Sequence, residues 1–496
     1  MSITLRRLVL FVSLVLFWPV GQGSAQDPAS VGQWGAVKQW PVFAIHATLQ
    51  RTGKVLFWRG RERNPTRTET YQWDPVTDAV TGPYTVQTSD LYCGGHGTLA
   101  DGRTIGIGGQ SVTAPFGGIR NTNIFDPTTL TWTPVASMAF ERWYPTSTTL
   151  RNGRVLAMSG QYVCGGMQVY CVVQVPEIYD VASNSWTTLT SAVLRPELYP
   201  FMFLLPNGKV YYAGPVTFTP AGARDLTTYT LDVNTQVWTA QDASDIEAIS
   251  AAMYRPGKIL KSGGGSAPWA PADTRAQVID MTVASPTWRD VGPMAIQRSD
   301  HNLVLLPDGK TLAVGGTRGY HVQTDPIELS TAAVMEAELW DPTPETWTTM
   351  APMSQPRGYH STALLLPDGR VLSAGGEAVF TAQVYSPPYL FKGPRPTITS
   401  VPASAIYTLN FSVSTPDAAS ISSVVLMRPG SLTHGFDMNQ RYVSLSFTAG
   451  SGTLTVNSPA SRDIAPPGYY MLFLVNNMGI PSTASFMQID GPDNCG

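Results

Sequence analysis

Leu303-Val304-Leu305-Leu306-Pro307-Asp308-Gly309-Lys310-Thr311-Leu312-Ala313-Val314-Gly315-Gly316 is the stretch on which the fold turns. Two apolar runs, Leu303–Leu306 and Thr311–Val314, flank an Asp-Gly turn, the signal of a tight hairpin between buried strands. The same unit recurs at Asp101-Gly102, Asn152-Gly153, Asn207-Gly208 and Asp368-Gly369, with weaker copies at Thr52-Gly53 and Pro256-Gly257. Each unit then closes with an aromatic-Asp strand and a Trp strand: Ile124-Phe125-Asp126 with Trp132, Ile178-Tyr179-Asp180 with Trp186, Leu339-Trp340-Asp341 with Trp347. Trp238 and Trp288 hold the same place in other units.

The spacing, roughly 50–60 residues, falls in the kelch range. Four strands per unit and seven units predict an all-β chain built on a seven-bladed β-propeller. One copy fits any hairpin; seven in series require a propeller or an array of that kind. The last unit ends at Gln383-Val384-Tyr385 without a Trp strand of its own, and Trp34 near the start supplies the missing pattern. A strand from the beginning of the chain is therefore expected to close the final blade. After Tyr389-Leu390-Phe391 the repeat stops, and Lys392-Gly393-Pro394-Arg395-Pro396 reads as a linker. The propeller is thus expected over 26–391. Alternating strands over 397–490 suggest an Ig-like β-sandwich, with a small barrel as the alternative.

Composition narrows the class of protein. The 496 residues are 43% hydrophobic and only 14% charged, with 45 Gly and 40 Pro, which suits many short strands and few helices. The net charge is −3 and no basic stripe stands out, so no nucleic-acid partner is expected. Arg6-Arg7, the apolar run Leu8 to Val20 and Gly23-Ser24-Ala25 read as a signal peptide over 1–25. Its loss brings the charge to about −5. Export makes the protein secreted; an uncleaved leader would keep it periplasmic or on the cell surface. Of four cysteines, Cys164 and Cys171 are close enough to staple one loop, and Cys495 sits in the tail. Cys93 has no obvious partner thiol.

Aligning the units gives a register. Eight residues before the Asp or Asn of each turn stand Cys93, Tyr144, Tyr199, Asp300 and His360. Equivalent positions in a propeller face one mouth of the central channel, so Cys93, Tyr144 and His360 are predicted to converge, with Tyr359 beside them. Imidazole and phenolate suit Cu(II).

Cys93-Gly94-Gly95, Arg142-Trp143-Tyr144, Arg357-Gly358-Tyr359-His360-Ser361, Tyr385-Ser386-Pro387-Pro388-Tyr389-Leu390 and Pro467-Gly468-Tyr469-Tyr470-Met471-Leu472-Phe473 resemble segments of the copper radical oxidases, the galactose oxidase and glyoxal oxidase type. The resemblance spans nearly the whole mature chain, with its motifs in the family's order. It implies one copper ion held by Tyr144, Tyr359, His360 and His434. It also implies a thioether between Cys93 and the ring of Tyr144 as redox cofactor. Tyr144 would carry the radical, and Tyr359 would be the axial tyrosine and general base. His434 would reach the channel on a loop of the C-terminal domain. In the galactose oxidase type an aromatic covers the thioether; Tyr162 matches that place.

Each of these residues also has a structural reading: a lone His or Tyr on a propeller strand is more often packing, and a buried Cys93 can act as a small hydrophobe. Their joint register and motif agreement favour the site. His301, beside Asp300, is a candidate substrate contact or a blade stabiliser, and His96 reads as structural support. Arg142-Trp143-Tyr144 resembles the glyoxal oxidase branch, and the chain is expected to lack the extra N-terminal carbohydrate-binding domain of galactose oxidase. The expected function is oxidation of a small aldehyde or primary alcohol by dioxygen, giving hydrogen peroxide, in a monomer. A galactose- or glycan-directed oxidase is the near alternative, and a non-catalytic glycan- or protein-binding module the distant one.

Overall fold

The computed structural model describes residues 27–59, 67–113, 116–165, 169–214, 217–218, 224–247, 250–264, 272–319 and 331–490. The leader 1–25 and Cys495 lie outside them. The chain is all-β. Among the described residues, seven antiparallel meanders follow one another from His46 to Ser386, each with an inner hairpin around one of the repeated glycine turns.

Local chemistry explains the repeat. The turn Asp or Asn accepts the backbone N–H two residues on, from Arg103 to Asp101 (3.0 Å), from Lys209 to Asn207 (3.1 Å) and from Arg370 to Asp368 (3.0 Å). The following glycine takes φ between +77° at Gly153 and +85° at Gly309, where a Cβ would be strained. The aromatic-Asp strands pair with the Trp strands ring opposite ring: Phe125 with Trp132, Tyr179 with Trp186, Trp340 with Trp347. The Asp ending each such strand caps its turn, as Asp126 does for Thr128 N–H at 2.8 Å.

The seventh sheet, Ser361–Leu365, Val371–Gly375 and Thr381–Ser386, takes its outer strands from the start of the described chain. Trp34 pairs opposite Tyr385, and Lys38 opposite Ala382. This pairing joins residues some 350 apart in sequence, a tie that holds only in the folded chain.

Strands from Ser404 to Asp490 form a five-stranded and a three-stranded sheet around their own core of Val413, Val424, Leu426, Leu454, Tyr470 and Leu472. One hairpin leaves this region. Ser431–Thr433 adds to the inner edge of the first sheet, His46 opposite Thr433 and Thr48 opposite Ser431. Phe436 and Met438 then fill the space between the fourth and fifth sheets, in one cluster with Phe201, Phe203, Ala251 and Met253. Polar side chains fasten the insertion to inner-strand carbonyls: Gln440 to Leu303 at 2.7 Å, Arg441 to Leu204 at 2.8 Å and Arg428 to Thr98 at 3.1 Å. Buried Asp437 accepts N–H groups from Ser431, Asn439 and Gln440, which fixes the hairpin turn. That turn carries His434.

Candidate metal centre

The residues aligned by register share a backbone state. Cys93, Tyr144, Tyr199, Asp300 and His360 have φ of 55°, 65°, 46°, 56° and 65°, and His434 has 50°. Such left-handed values are uncommon for residues with a Cβ. Neighbouring sheets are laced through them: Tyr144 N–H donates to Cys93 C=O and Tyr199 N–H to Tyr144 C=O, both at 2.9 Å. Each sharp bend starts an inner strand and turns its side chain inward. Cys93 N–H donates to His46 Nε2 at 3.1 Å, so the first sheet is tied in as well.

Buried arginines hold the segments leading into these bends. Arg142 pairs with Glu177 at 2.9 Å, with both side chains fully buried, and Glu177 also takes Ala139 N–H at 2.6 Å. Arg298 and Glu338 repeat the arrangement, and Arg357 donates to Gly375 C=O and Thr381 Oγ1. A buried ion pair contributes geometry more than net stability.

Five predicted residues come together. The Tyr144 and Tyr359 hydroxyls are 2.5 Å apart. Cys93 Sγ is 3.5 Å from His434 Nε2, and the donor atoms of Cys93, His360 and His434 lie within 4.8 Å of one another. Ring centroids are 4.7 Å apart for Tyr144 and His434, 4.0 Å for Tyr359 and His360, and 4.5 Å for His360 and His434. Both imidazoles are oriented through Nδ1: His360 against Glu377 Oε2 at 2.6 Å, His434 against Thr433 Oγ1 at 2.6 Å. Coordination would then fall to Nε2, the usual division of labour for a metal-bound histidine.

Burial pushes the Tyr144 and Tyr359 hydroxyls well above the ordinary phenol range, and crowding with Cys93 pushes them further. Burial likewise raises the Cys93 thiol, a shift partly offset by hydrogen bonds with Tyr144 and Tyr92. Three weakly acidic groups thus crowd one site as neutral species. A cation there would reverse the balance by stabilising their anions. Two phenols, two imidazoles and a thiol are a donor set that fits copper.

Tyr162 sits half-buried in the strand Gln161–Gly165, opposite Cys171 on the strand Val169–Val172, and Cys164 and Cys171 form a disulfide. Among the described ring contacts, the indole against Tyr144 is that of Trp143, at 4.1 Å. His301 is fully buried with Nε2 2.9 Å from Ser262 Oγ, a contact that ties its sheet to the preceding one. His96 is buried with Nδ1 2.9 Å from Thr48 Oγ1, and burial drops its pKa to about 3.

The sequence reading missed several neighbours. Glu377 directly follows the Gly375-Gly376 pair, a position that could have drawn notice. Tyr199 was in register without a role; its ring lies 4.7 Å from Tyr144 and 4.5 Å from His434, and its hydroxyl donates to Gly94 C=O at 3.1 Å. His46 carries no motif at all.

An all-β scaffold bringing phenols, imidazoles and a thiol from distant segments to one point defines a copper-site protein of the oxidase class. Comparison with known proteins agrees. The glyoxal oxidase N-terminus family model matches residues 67–390, and the galactose oxidase-like early set domain matches 395–489. The chain belongs to the copper radical oxidase family, that of glyoxal oxidase and galactose oxidase. Galactose oxidase of Gibberella zeae is 29% identical, over 92% of this chain and 71% of its own. Aldehyde oxidase GLOX of Vitis pseudoreticulata is 27% identical, over 81% and 82%. A fungal alcohol oxidase solved in complex with copper superposes with a TM-score of 0.80 at 26% identity, covering 93% of this chain and all of that one.

Proposed function

We propose that this protein is a secreted, monomeric copper radical oxidase that converts a small aldehyde or primary alcohol with dioxygen, releasing hydrogen peroxide. Its meanders read as a seven-bladed β-propeller over 26–391, followed by an Ig-like β-sandwich over 397–490. The observation that carries the function is the 2.5 Å approach of the Tyr144 and Tyr359 hydroxyls beside Cys93, His360 and His434.

Tyr144, Tyr359, His360 and His434 would hold the metal. Bound there, copper supplies the second one-electron acceptor that a two-electron oxidation needs. Two different jobs then fall to the two phenols. Tyr359 Oη, as its anion, accepts the substrate hydroxyl proton. The oxidised ring of Tyr144 takes a hydrogen atom from the substrate carbon, one electron and one proton together. Dioxygen finally receives two electrons and two protons.

Cys93 tunes this chemistry. Joining Sγ to the Tyr144 ring removes the S–H and one ring C–H hydrogen, an oxidation that dioxygen can accept. The electron-rich sulfur then makes the ring easier to oxidise. Trp143 against Tyr144 shields the ring from water, and the buried setting strengthens every charge interaction around it.

The test is direct. Copper-loaded protein treated with ferricyanide is expected to develop a tyrosyl-radical absorption band, and its mass to fall by two hydrogens relative to the unlinked chain. A peroxide-coupled panel of small aldehydes, primary alcohols and galactose then ranks substrates. Resemblance to galactose oxidase makes galactose the competing class. Absence of both band and peroxide across the panel would leave a binding module as the surviving function.

A further inference from the structure

Two of the bends that ring the site are joined backbone to backbone: Tyr144 N–H donates to Cys93 C=O, and Tyr199 N–H to Tyr144 C=O. Cys93 N–H instead donates to a side chain, His46 Nε2, at 3.1 Å. His46 begins the inner strand His46–Leu49 of the first sheet and is fully buried. Its backbone pairs opposite Thr433, whose Oγ1 donates to Ile45 C=O at 2.9 Å and lies 2.6 Å from His434 Nδ1. One residue therefore contacts the segments that carry both Cys93 and His434 into the site.

The imidazole is held in one pose. It stacks on Trp58, with centroids 4.9 Å apart and planes 7° from parallel, and meets His96 edge-on at 5.2 Å. Accepting at Nε2 places the ring proton on Nδ1. Nδ1 is buried and has no partner among the described residues. A buried donor left unmatched weakens a fold, and an apolar side chain here would avoid that loss. What the imidazole provides in return is an acceptor at the reach Cys93 N–H needs. His96 and His301 are buried as deeply, but their described side-chain bonds go to the hydroxyls of Thr48 and Ser262.

The bend that His46 holds is demanding. Cys93 has φ 55°, its thiol is buried, and Sγ stands 3.5 Å from His434 Nε2 as well as beside Tyr144. A small rotation of this bend would carry the sulfur from the phenol towards the imidazole. We propose that His46 is a positioning residue for the cross-link, its Nε2 fixing the Cys93 bend so that Sγ meets the Tyr144 ring. The proposal rests on the radical reading above. In the step it prepares, the S–H and one ring C–H bond break and a C–S bond forms. Two electrons and two protons pass to dioxygen, giving hydrogen peroxide. His46 gains and loses nothing; it sets a distance and an angle, on which reactions between held groups depend steeply.

The full chain, purified without copper, is given copper in air, and the loss of two hydrogens is followed by intact mass. His46→Gln keeps an acceptor where Nε2 stood and is expected to cross-link close to the parent rate. His46→Asn is one methylene too short to reach, and His46→Phe keeps the stack on Trp58 without an acceptor; both should slow the loss about tenfold. Copper titration should give parent-like affinity in all three, because His46 is not a proposed ligand. His301→Phe, which removes an equally buried imidazole, should cross-link at the parent rate. Gln and Asn both give up the stack and differ in reach, so that pair decides the matter even where His46→Phe fails to fold. Equal rates in the Gln and Asn variants, equal slowing in His301→Phe, or copper affinity falling in step with the rate overturns the positioning role alone. A parent protein that never loses two hydrogens overturns the radical reading itself.

Discussion

The two ends of the inner hairpins use the same backbone state for opposite purposes. At the turn end, Gly102, Gly153, Gly208, Gly309 and Gly369 occupy φ near +80°. At the site end, Cys93, Tyr144, Tyr199, Asp300 and His360 occupy φ from 46° to 65°. Glycine takes the left-handed region without strain, whereas residues with a Cβ hold it at about 1–2 kcal/mol each. The turn end needs only to reverse the chain. The site end needs side chains at the bend, and at Cys93, Tyr144 and Tyr199 the bends that carry the strain are laced from one sheet to the next.

Glycine substitution at the site end separates strain from chemistry. Cys93→Gly relaxes the bend but also removes a fully buried side chain and the proposed cross-link, so melting temperature is expected to fall modestly while the fold is kept. Turnover should fall by about three orders of magnitude, the scale of deleting a catalytic group. The intact-mass loss of two hydrogens and the low-potential radical band should both vanish. Full turnover in that variant would show the sulfur to be packing.

A smaller effect is expected one bond further out. Glu377→Gln keeps a hydrogen bond to His360 Nδ1 but removes the charge that orients and polarises the ring. Outer partners of this kind typically contribute roughly 10–100-fold in metal affinity. Copper titration is the measurement, with melting temperature nearly unchanged. Unaltered affinity would reduce Glu377 to a surface contact.

The sequence showed the turn end far better than the site end. Asp-Gly and Asn-Gly pairs announce themselves, because only certain residues accept that geometry, and counting back from them put Cys93, Tyr144 and His360 in line. The same count could not show that these residues are left-handed, since Cys, Tyr and His carry no signature of φ. Trp34 was legible as the closing strand because the last repeat visibly lacked its Trp. His434 lies outside the repeat, and family resemblance alone led to it; the inserted hairpin Ser431–Asp437 has no spacing signal. His46, Tyr199 and Glu377 escaped assignment for a related reason. Their importance lies in contacts between sheets, and no period along the chain records those.

The smallest expected effects form a mirrored pair, and the comparison stands or falls on their signs. Gly153 has φ +77°, and a Cβ there would meet only Ala100 and Pro467, at 3.5 and 3.6 Å, which is ordinary contact. Gly153→Ala therefore isolates backbone strain and should destabilise by about 1 kcal/mol. Asp300 has φ 56° in a buried bend at the other end. Asp300→Gly relieves strain of similar size, although glycine also loses more freedom on folding, which offsets up to about 1 kcal/mol of the gain. The net change should lie between zero and a slight stabilisation, with copper affinity retained because Asp300 is not a proposed ligand. Denaturant unfolding of both variants checks the pair. Were Asp300→Gly to destabilise as much as Gly153→Ala, the bend would be held by the carboxylate's contacts, and backbone strain would not be what distinguishes the two ends.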